Sequence, residues 1–237
     1  MEERLPGLKE ELGAGFCIVN AENVADGAGI TPRLADRLLA AGADVLTLGN
    51  HVWRRREIGP YLETSDRVIR PANLASGSHG RGLAVVDEVA VVNLQGILFM
   101  TTPVSPFEVV DDLVEQARAQ AKIVIVDFHA EATSEKVALA RLLDGRVTAV
   151  IGTHTHVQTS DARVQPGGTA AITDAGMTGP HDSVIGVKAD LAIGRMRTGM
   201  AVRFEPADGG VRIEGVVVGC DAEGRALSCE ALRVPVP

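Results

Sequence analysis

Four short apolar runs in this chain each lead into side chains of the kind that bind metal ions. That recurrence restricts the fold more than any other feature. The runs are Phe16 to Val19, Val45 to Leu48, Ile123 to Val126 and Val147 to Ile151. They end in Asn20-Ala21-Glu22-Asn23, Gly49-Asn50-His51, Asp127-Phe128-His129 and Gly152-Thr153-His154-Thr155-His156. Apolar runs of this length, bounded by turn residues, read as buried strands. In open α/β sheets, ligands bind beyond the carboxyl ends of the strands. Four such ends can therefore converge on one edge of one sheet. The chain has six histidines, and four of them, His51, His129, His154 and His156, lie in these segments.

The segments between the runs fit helices. Leu5, Leu8 and Leu12 share one helical face. Thr31-Pro32 places an N-cap before proline at the first helical position, and Gly42 is a C-terminal stop. A short helix is expected near Arg55 to Leu62, then a polar loop over 71–82. Leu83 to Val86 and Val89 to Leu94 form a hairpin pattern. Ser105-Pro106-Phe107-Glu108 matches a capping box for a helix running to Ala121. A strand at 123–127, a helix at 134–143 capped by Thr133 or Ser134, and a strand at 147–151 make a second βαβ region. A glycine-bearing loop, Asp174 to Gly186, follows Ala171-Ile172-Thr173. Alternating patterns near 200–205, 211–219 and 225–234 read as antiparallel strands. The expected architecture is α/β, two mixed sheets packed face to face with helices outside, in a single domain over 1–237.

The bulk properties narrow the function. With 46% hydrophobic residues the chain can bury a sizeable core. A net charge of −8 argues against general binding to nucleic acid or anionic membrane, which Lys and Arg drive. It leaves a small phosphate substrate open, since metal ions supply local positive charge. Aromatic content of 3% argues against base-stacking platforms. Cys17, Cys220 and Cys229 form no CxxC pair, as in a reducing cytoplasm. The chain opens on Glu2-Glu3-Arg4 without a leader pattern or an apolar stretch of membrane-spanning length. A cytoplasmic protein is expected, and the sequence leaves a homo-oligomer open.

His154-Thr155-His156 is the sharpest chemical signal. In extended backbone, two imidazoles two residues apart point to one side, and imidazole is the commonest neutral metal ligand. Alone, the pair could equally cap a strand. Asn50 offers an amide oxygen, and the next side chain, His51, is free for proton transfer. Read alone, that turn is more often just a turn. Glu22 can bridge two ions and Asn23 adds an amide oxygen, although Glu-Asn after a strand is usually a polar loop. Asp127 can orient His129 as an outer partner. Asp174 is an outer-shell candidate. Arg70-Pro71-Ala72-Asn73 reads more readily as a structural turn than as a substrate contact. Arg54, three residues from His51, could reach a phosphate, while His79 and His181 read as surface residues. No GxSxG elbow, no GxxxxGK[ST] loop and no GxGxxG after a strand occurs.

Taken together these residues resemble a known family. Glu22-Asn23, Gly49-Asn50-His51, the run His129-Ala-Glu-Ala-Thr-Ser-Glu-Lys136 and the run Gly152-Thr-His-Thr-His-Val-Gln-Thr159 are similar to the calcineurin-like metallophosphoesterases. The closer match is to their YmdB-type bacterial cyclic-nucleotide phosphodiesterases. Arg70 to Asn73, Asn93 to Gly96 and Thr173 to Pro180 match as well, so the resemblance covers nearly the whole chain. It implies a four-layer α/β/β/α sandwich and two divalent or trivalent metal ions, iron or manganese. It also implies hydrolysis of 2′,3′-cyclic nucleotides. Residue by residue, it implies that Glu22 bridges the metals, that Asn50, His129 and His154 complete one, and that Asn23 and His156 serve the other. His51 is the implied proton donor. The family's opening apolar strand and its Gly-Asp turn have no counterpart ahead of Glu2, so the second metal is expected to be the weaker. Val52 and Arg54 stand where the family pattern has Thr and Asp.

The expectation is thus a dinuclear phosphodiesterase acting on a small phosphodiester, with a metal-held hydroxide as nucleophile and His51 protonating the leaving oxygen. The rival is a non-catalytic or mononuclear relative acting through protein contacts. A metal-dependent amidohydrolase ranks below both, because its His-x-His usually comes early in a barrel.

Overall fold

In the computed structural model, which describes residues 2–236, helices and strands alternate over the first two-thirds of the chain. Met1, on which the reading of the chain's opening partly rests, and Pro237 lie outside the described residues. The order is α1 (Leu5–Leu12), β1 (Ile18–Asn20), α2 (Pro32–Ala40), β2 (Val45–Thr47), α3 (Ile58–Thr64), β3 (Val68–Ile69), β4 (Leu83–Val86) and β5 (Val89–Gln95). Then come α4 (Pro106–Arg118), β6 (Ile123–His129), α5 (Thr133–Leu142), β7 (Ala149–Thr153), β8 (Arg163–Val164) and β9 (Ala170–Ile172). The chain closes with β10 (Gly179–Pro180), α6 (Ala189–Thr198), β11 (Val211–Cys220) and β12 (Ala226–Pro235).

Local chemistry accounts for the element boundaries. Thr31 caps α2, its hydroxyl accepting the Leu34 amide at 3.3 Å. Ser105 does the same for α4 through the Phe107 amide at 3.3 Å. Gly13 ends α1 in the left-handed region, φ 60. Helix α5 starts at Thr133 without a side-chain cap, so neither Thr133 nor Ser134 plays the expected role.

Three sheets result. Strands β1-β2-β3 form one parallel sheet, β4-β5-β6-β7-β9-β8 a mixed six-stranded one, and β10-β11-β12 an antiparallel one. Strand β5 is buried along its whole length, and its alternation explains the layering. Val89 and Val91 cluster with Val45, Ile69 and Ala84 in the seam between the first sheet and the six-stranded one. Ala90, Val92 and Leu94 face the other way, onto Val110 and Val114 of α4 and Leu139 of α5. Helices α1, α2 and α3 cover the outer face of the first sheet through Leu5, Ala35, Leu38, Ile58 and Leu62. The result is the four-layer α/β/β/α sandwich. The terminal hairpin packs Val218 and Cys229 against Ala149 and Ala170.

One expectation fails in the last third, and one element appears that the sequence pattern does not announce. Residues 200–205 form no strand, because no neighbouring strand among the described residues pairs with them; the ladder is limited to an isolated bridge between Pro206 and Val187, with the Lys188 amide donating to the Glu205 carbonyl at 3.0 Å. Helix α6 was not anticipated. Its Ile193 and Met196 lie exposed, at 44% and 76%, so its apolar residues do not mark a buried face.

Candidate metal centre

The carboxyl ends of β1, β2, β6 and β7 lie side by side. Parallel pairing sets Asn20 against Thr47 and His129 against Thr153. A hydrogen bond from Asn20 Nδ2 to Asp127 Oδ2, 3.0 Å, ties the two sheets together at that level. A second tie runs from the Leu48 amide to Asn93 Oδ1 at 3.2 Å.

Four donor atoms meet there. His129 Nε2 lies 3.1 Å from Glu22 Oε1, 3.0 Å from Asn50 Oδ1 and 3.1 Å from His154 Nδ1. One ligand atom from each of Glu22, His129 and His154 falls within 4.8 Å of the others. Glu22 and His129 are each 1% exposed, while Asn50 sits at the open side. Gly49 is required between the strand and this cluster, since a Cβ there would overlap His129 Nε2 and Glu22 Oε2.

The outer hydrogen bonds fix which nitrogens carry lone pairs. Thr153 gives its hydroxyl proton to Asp127 Oδ1 at 2.7 Å, so its oxygen accepts from His129 Nδ1 at 3.0 Å. His129 Nε2 is then unprotonated and faces the cluster. His154 turns Nε2 to Glu131 Oε2, 3.1 Å away, which leaves its Nδ1 for the cluster. Asp127 thus acts on His129 through Thr153. Its Oδ2 also accepts from the Thr47 hydroxyl. Burial pushes Asp127 above the ordinary carboxylate range, against the pull of these donors.

The charge pattern suits a cation. Burial pushes Glu22 upward, but positive charge at the His129 position and the His51 amide outweigh it and hold the carboxyl at about 2. Burial holds His154 at about 4, with the same positive charge adding to the shift. Near neutral pH the centre therefore presents an ionised carboxylate and a neutral imidazole. Glu22 has no Lys or Arg within 4.0 Å among the described residues. A buried carboxylate facing imidazole lone pairs and an amide oxygen is costly unless a cation lies among them. This donor set, one carboxylate, one amide oxygen and two imidazoles, suits iron, manganese or zinc.

A second group adjoins the first. Asn23 Nδ2 lies 3.0 Å from His156 Nε2, and His51 Nδ1 donates to Asn23 Oδ1 at 2.7 Å. His156 Nδ1 donates to the Ile185 carbonyl at 3.1 Å, leaving Nε2 as its lone-pair nitrogen. Burial lowers His51 below the ordinary histidine range while Glu22 pulls it back and Arg54 lowers it further.

The His-x-His geometry differs from the extended pair expected from the sequence. Strand β7 stops at Thr153, and His154 and His156 both take left-handed backbone, φ 103 and φ 66. Such conformations cost about 1–3 kcal/mol each in non-glycine residues and cluster at functional sites. Convergence of the two rings comes from this turn and from their partners, Glu131 for His154 and the Ile185 carbonyl for His156. Glu131 lies within the recognised His129–Lys136 run; the Ile185 carbonyl leaves no local signal.

Arg70 and Asn73 are structural, as the turn reading had it. The Arg70 guanidinium donates to the carbonyls of Pro71, Ser78, His79 and Gly80, holding the loop 71–80. Asn73 donates to the Gln95 and Val104 carbonyls. His79 is exposed, but His181 is not a surface residue: its side chain is 17% exposed and stands 3.9 Å from Glu214.

Comparisons with known proteins agree with this fold. A family model described as YmdB-like protein matches residues 1–232. The chain is 44% identical over 239 residues to a 2′,3′-cyclic-nucleotide 2′-phosphodiesterase of Bacillus subtilis strain 168, covering 99% of this chain and 90% of that protein. Among solved structures, a hypothetical protein from Thermus thermophilus superimposes with a TM-score of 0.92 at 37% identity. That match covers 100% of this chain and 93% of that one. A novel phosphatase from Mycoplasma pneumoniae superimposes at 0.89 with 34% identity, covering 99% and 87%.

Proposed function

The chain belongs to the YmdB-like protein family, and from that premise we propose that it hydrolyses 2′,3′-cyclic nucleotides or closely related phosphodiesters at a dinuclear metal centre. It is a hydrolase of the phosphodiesterase type, as its 44% identical relative is. One observation carries the metal reading. Glu22 Oε1, Asn50 Oδ1, His129 Nε2 and His154 Nδ1 turn towards each other, with no lysine or arginine among the described residues to neutralise Glu22.

Glu22, Asn50, His129 and His154 would hold the first ion. Glu22, Asn23 and His156 would hold the second, more weakly, since Asn23 is neutral, Glu22 is shared and the Asn23 amide must turn its oxygen from His51 to the side of His156. Bound there, such ions neutralise phosphate charge and make water nucleophilic near neutral pH. The chain's own residues do the rest. With the Asn23 amide so turned, its Nδ2 would donate to His51 Nδ1, fixing the ring and placing its proton on Nε2. Among the described residues His51 Nε2 makes no hydrogen bond, so it is the nitrogen available to protonate the leaving oxygen. Arg54, beside His51, supplies positive charge for a substrate phosphate. Among the described residues no helix is long and apolar enough to cross a membrane. Cys17, Cys220 and Cys229 are free thiols, which supports a reducing, cytoplasmic placement, and the chain reads as one domain.

The test is turnover of bis-p-nitrophenyl phosphate and of 2′,3′-cyclic nucleotides by purified protein with added Mn²⁺ or Fe²⁺. Metal-dependent cleavage is expected. No turnover with either ion sinks the reading.

A further inference from the structure

Asp174 follows β9 and is 1% exposed. Its Oδ2 accepts three hydrogen bonds: from Lys136 Nζ at 2.8 Å, from the Thr155 amide at 3.0 Å and from the Thr155 hydroxyl at 2.8 Å. Its Oδ1 accepts the Gly176 amide at 2.9 Å. Lys136, on α5, is itself 4% exposed. Thr155 is the residue between His154 and His156, whose backbones are both left-handed, φ 103 and φ 66. Nothing in the intrinsic preference of a His-Thr-His segment selects that pair of conformations. Among the described residues, the side-chain acceptor that grips Thr155 is Asp174, by both its amide and its hydroxyl.

We propose that Asp174 is a positioning residue that clamps the His154-Thr155-His156 turn in its strained conformation, with buried Lys136 pinning the carboxylate, so that both imidazoles face the metal centre. The proposal rests on the metal reading above and deepens it. With the clamp intact, the turn is preorganised and metal binding does not have to order it. Without it, the turn relaxes to ordinary backbone, and His154 Nδ1 and His156 Nε2 leave their places.

The test must separate the clamp from the buried ion pair. Changing Asp174 alone leaves Lys136 buried and unpaired, which destabilises any fold. Two double variants avoid this. Asp174→Leu with Lys136→Met removes the pair and the acceptor together. Asp174→Asn with Lys136→Met removes the charges and keeps an amide oxygen for Thr155, while its Nδ2 meets the Gly176 amide and lowers the melting temperature without freeing the turn. Thr155→Val, a third and milder variant, removes only the hydroxyl contact and keeps the pair. The readouts are the melting temperature of metal-free protein and Mn²⁺ affinity by calorimetric titration.

The Leu/Met protein is expected to lose about 10–100-fold in Mn²⁺ affinity, and the Asn/Met protein to stay close to wild type. Thr155→Val should lose about fivefold, one net hydrogen bond, with the melting temperature lower by only about 2–4 °C. Wild-type affinity in the Leu/Met protein overturns the clamp, as does an equal loss in both double variants. Should the double variants not fold, wild-type affinity in Thr155→Val overturns it on its own. A wild-type chain that takes up no Mn²⁺ overturns the metal reading first, and the clamp with it.

Discussion

Thr153 stands between Asp127 and His129, giving its hydroxyl proton to Asp127 Oδ1 across 2.7 Å and accepting from His129 Nδ1 across 3.0 Å. A single hydroxyl thereby passes the preference of a buried carboxylate to a histidine it does not touch. The tautomer of His129, and so the nitrogen offered to a metal, depends on this relay.

Asp127→Asn should break it. An amide presents an N–H group to one of the donors now facing Asp127, so a buried polar group loses its partner. A stability loss of about 1–3 kcal/mol is expected in metal-free protein, together with a fall of about 10–100-fold in Mn²⁺ affinity. Urea unfolding and metal titration of the same sample check both. A pure stability loss with normal Mn²⁺ binding would show that the relay does not set the tautomer.

His51→Ala and His154→Ala should separate chemistry from metal binding. The first is expected to lower kcat by about 10²–10⁴-fold at nearly normal metal content. The second should lose metal, because His154 Nδ1 lies in the donor cluster. Elemental analysis beside steady-state rates decides it, and equal metal loss in both variants would remove His51 from the donor role.

Gly49→Ala should abolish metal uptake while the helices and sheets persist, since its Cβ would occupy the space of His129 Nε2 and Glu22 Oε2. Gly194→Ala is the control. It lies within α6 with nothing within 4 Å of a new Cβ, and should stabilise the protein by about 0.4–1 kcal/mol. Circular dichroism and Mn²⁺ titration of both variants test the contrast, and normal Mn²⁺ affinity in Gly49→Ala would refute the crowding argument.

Cys17 gives a pH prediction away from the centre. Burial pushes its thiol from 9.0 up to about 11; Asp44 adds to the rise and Lys9 opposes it. Only about one thiol in a thousand is thiolate at pH 8 for such a group. Alkylation of Cys17 in folded protein at pH 8 should therefore be far slower than in unfolded protein, and should rise with pH. The folded state favours the protonated thiol. Its contribution to stability is complete below about pH 9 and is lost as pH rises to about 11. Mass spectrometry after timed alkylation reads the rate, and equal labelling of folded and unfolded chains at pH 8 would contradict it.

How much of this was legible in the sequence follows from how local each cause is. The strands were readable because a buried strand needs consecutive apolar residues, as in β5, where Val89, Ala90, Val91 and Val92 serve two cores by alternation. The caps were readable because Thr31 and Ser105 act within three residues. The residue types of the donor cluster were readable because they directly follow apolar strand runs. Helix α6 was not, because its exposed Ile193 and Met196 blur the period that marks a helix. The region 200–205 misled because an alternating pattern makes a strand only where a neighbour supplies hydrogen bonds. The placement of the site's atoms was decided by the tertiary structure alone. The tautomer of His129 comes from Thr153 and Asp127, the orientation of His154 from Glu131, and the left-handed turn at His154 and His156 is gripped by Asp174, 19 residues from Thr155. Each is a contact between segments distant in sequence, and local pattern carries no record of which donor will meet which acceptor once the sheets have packed.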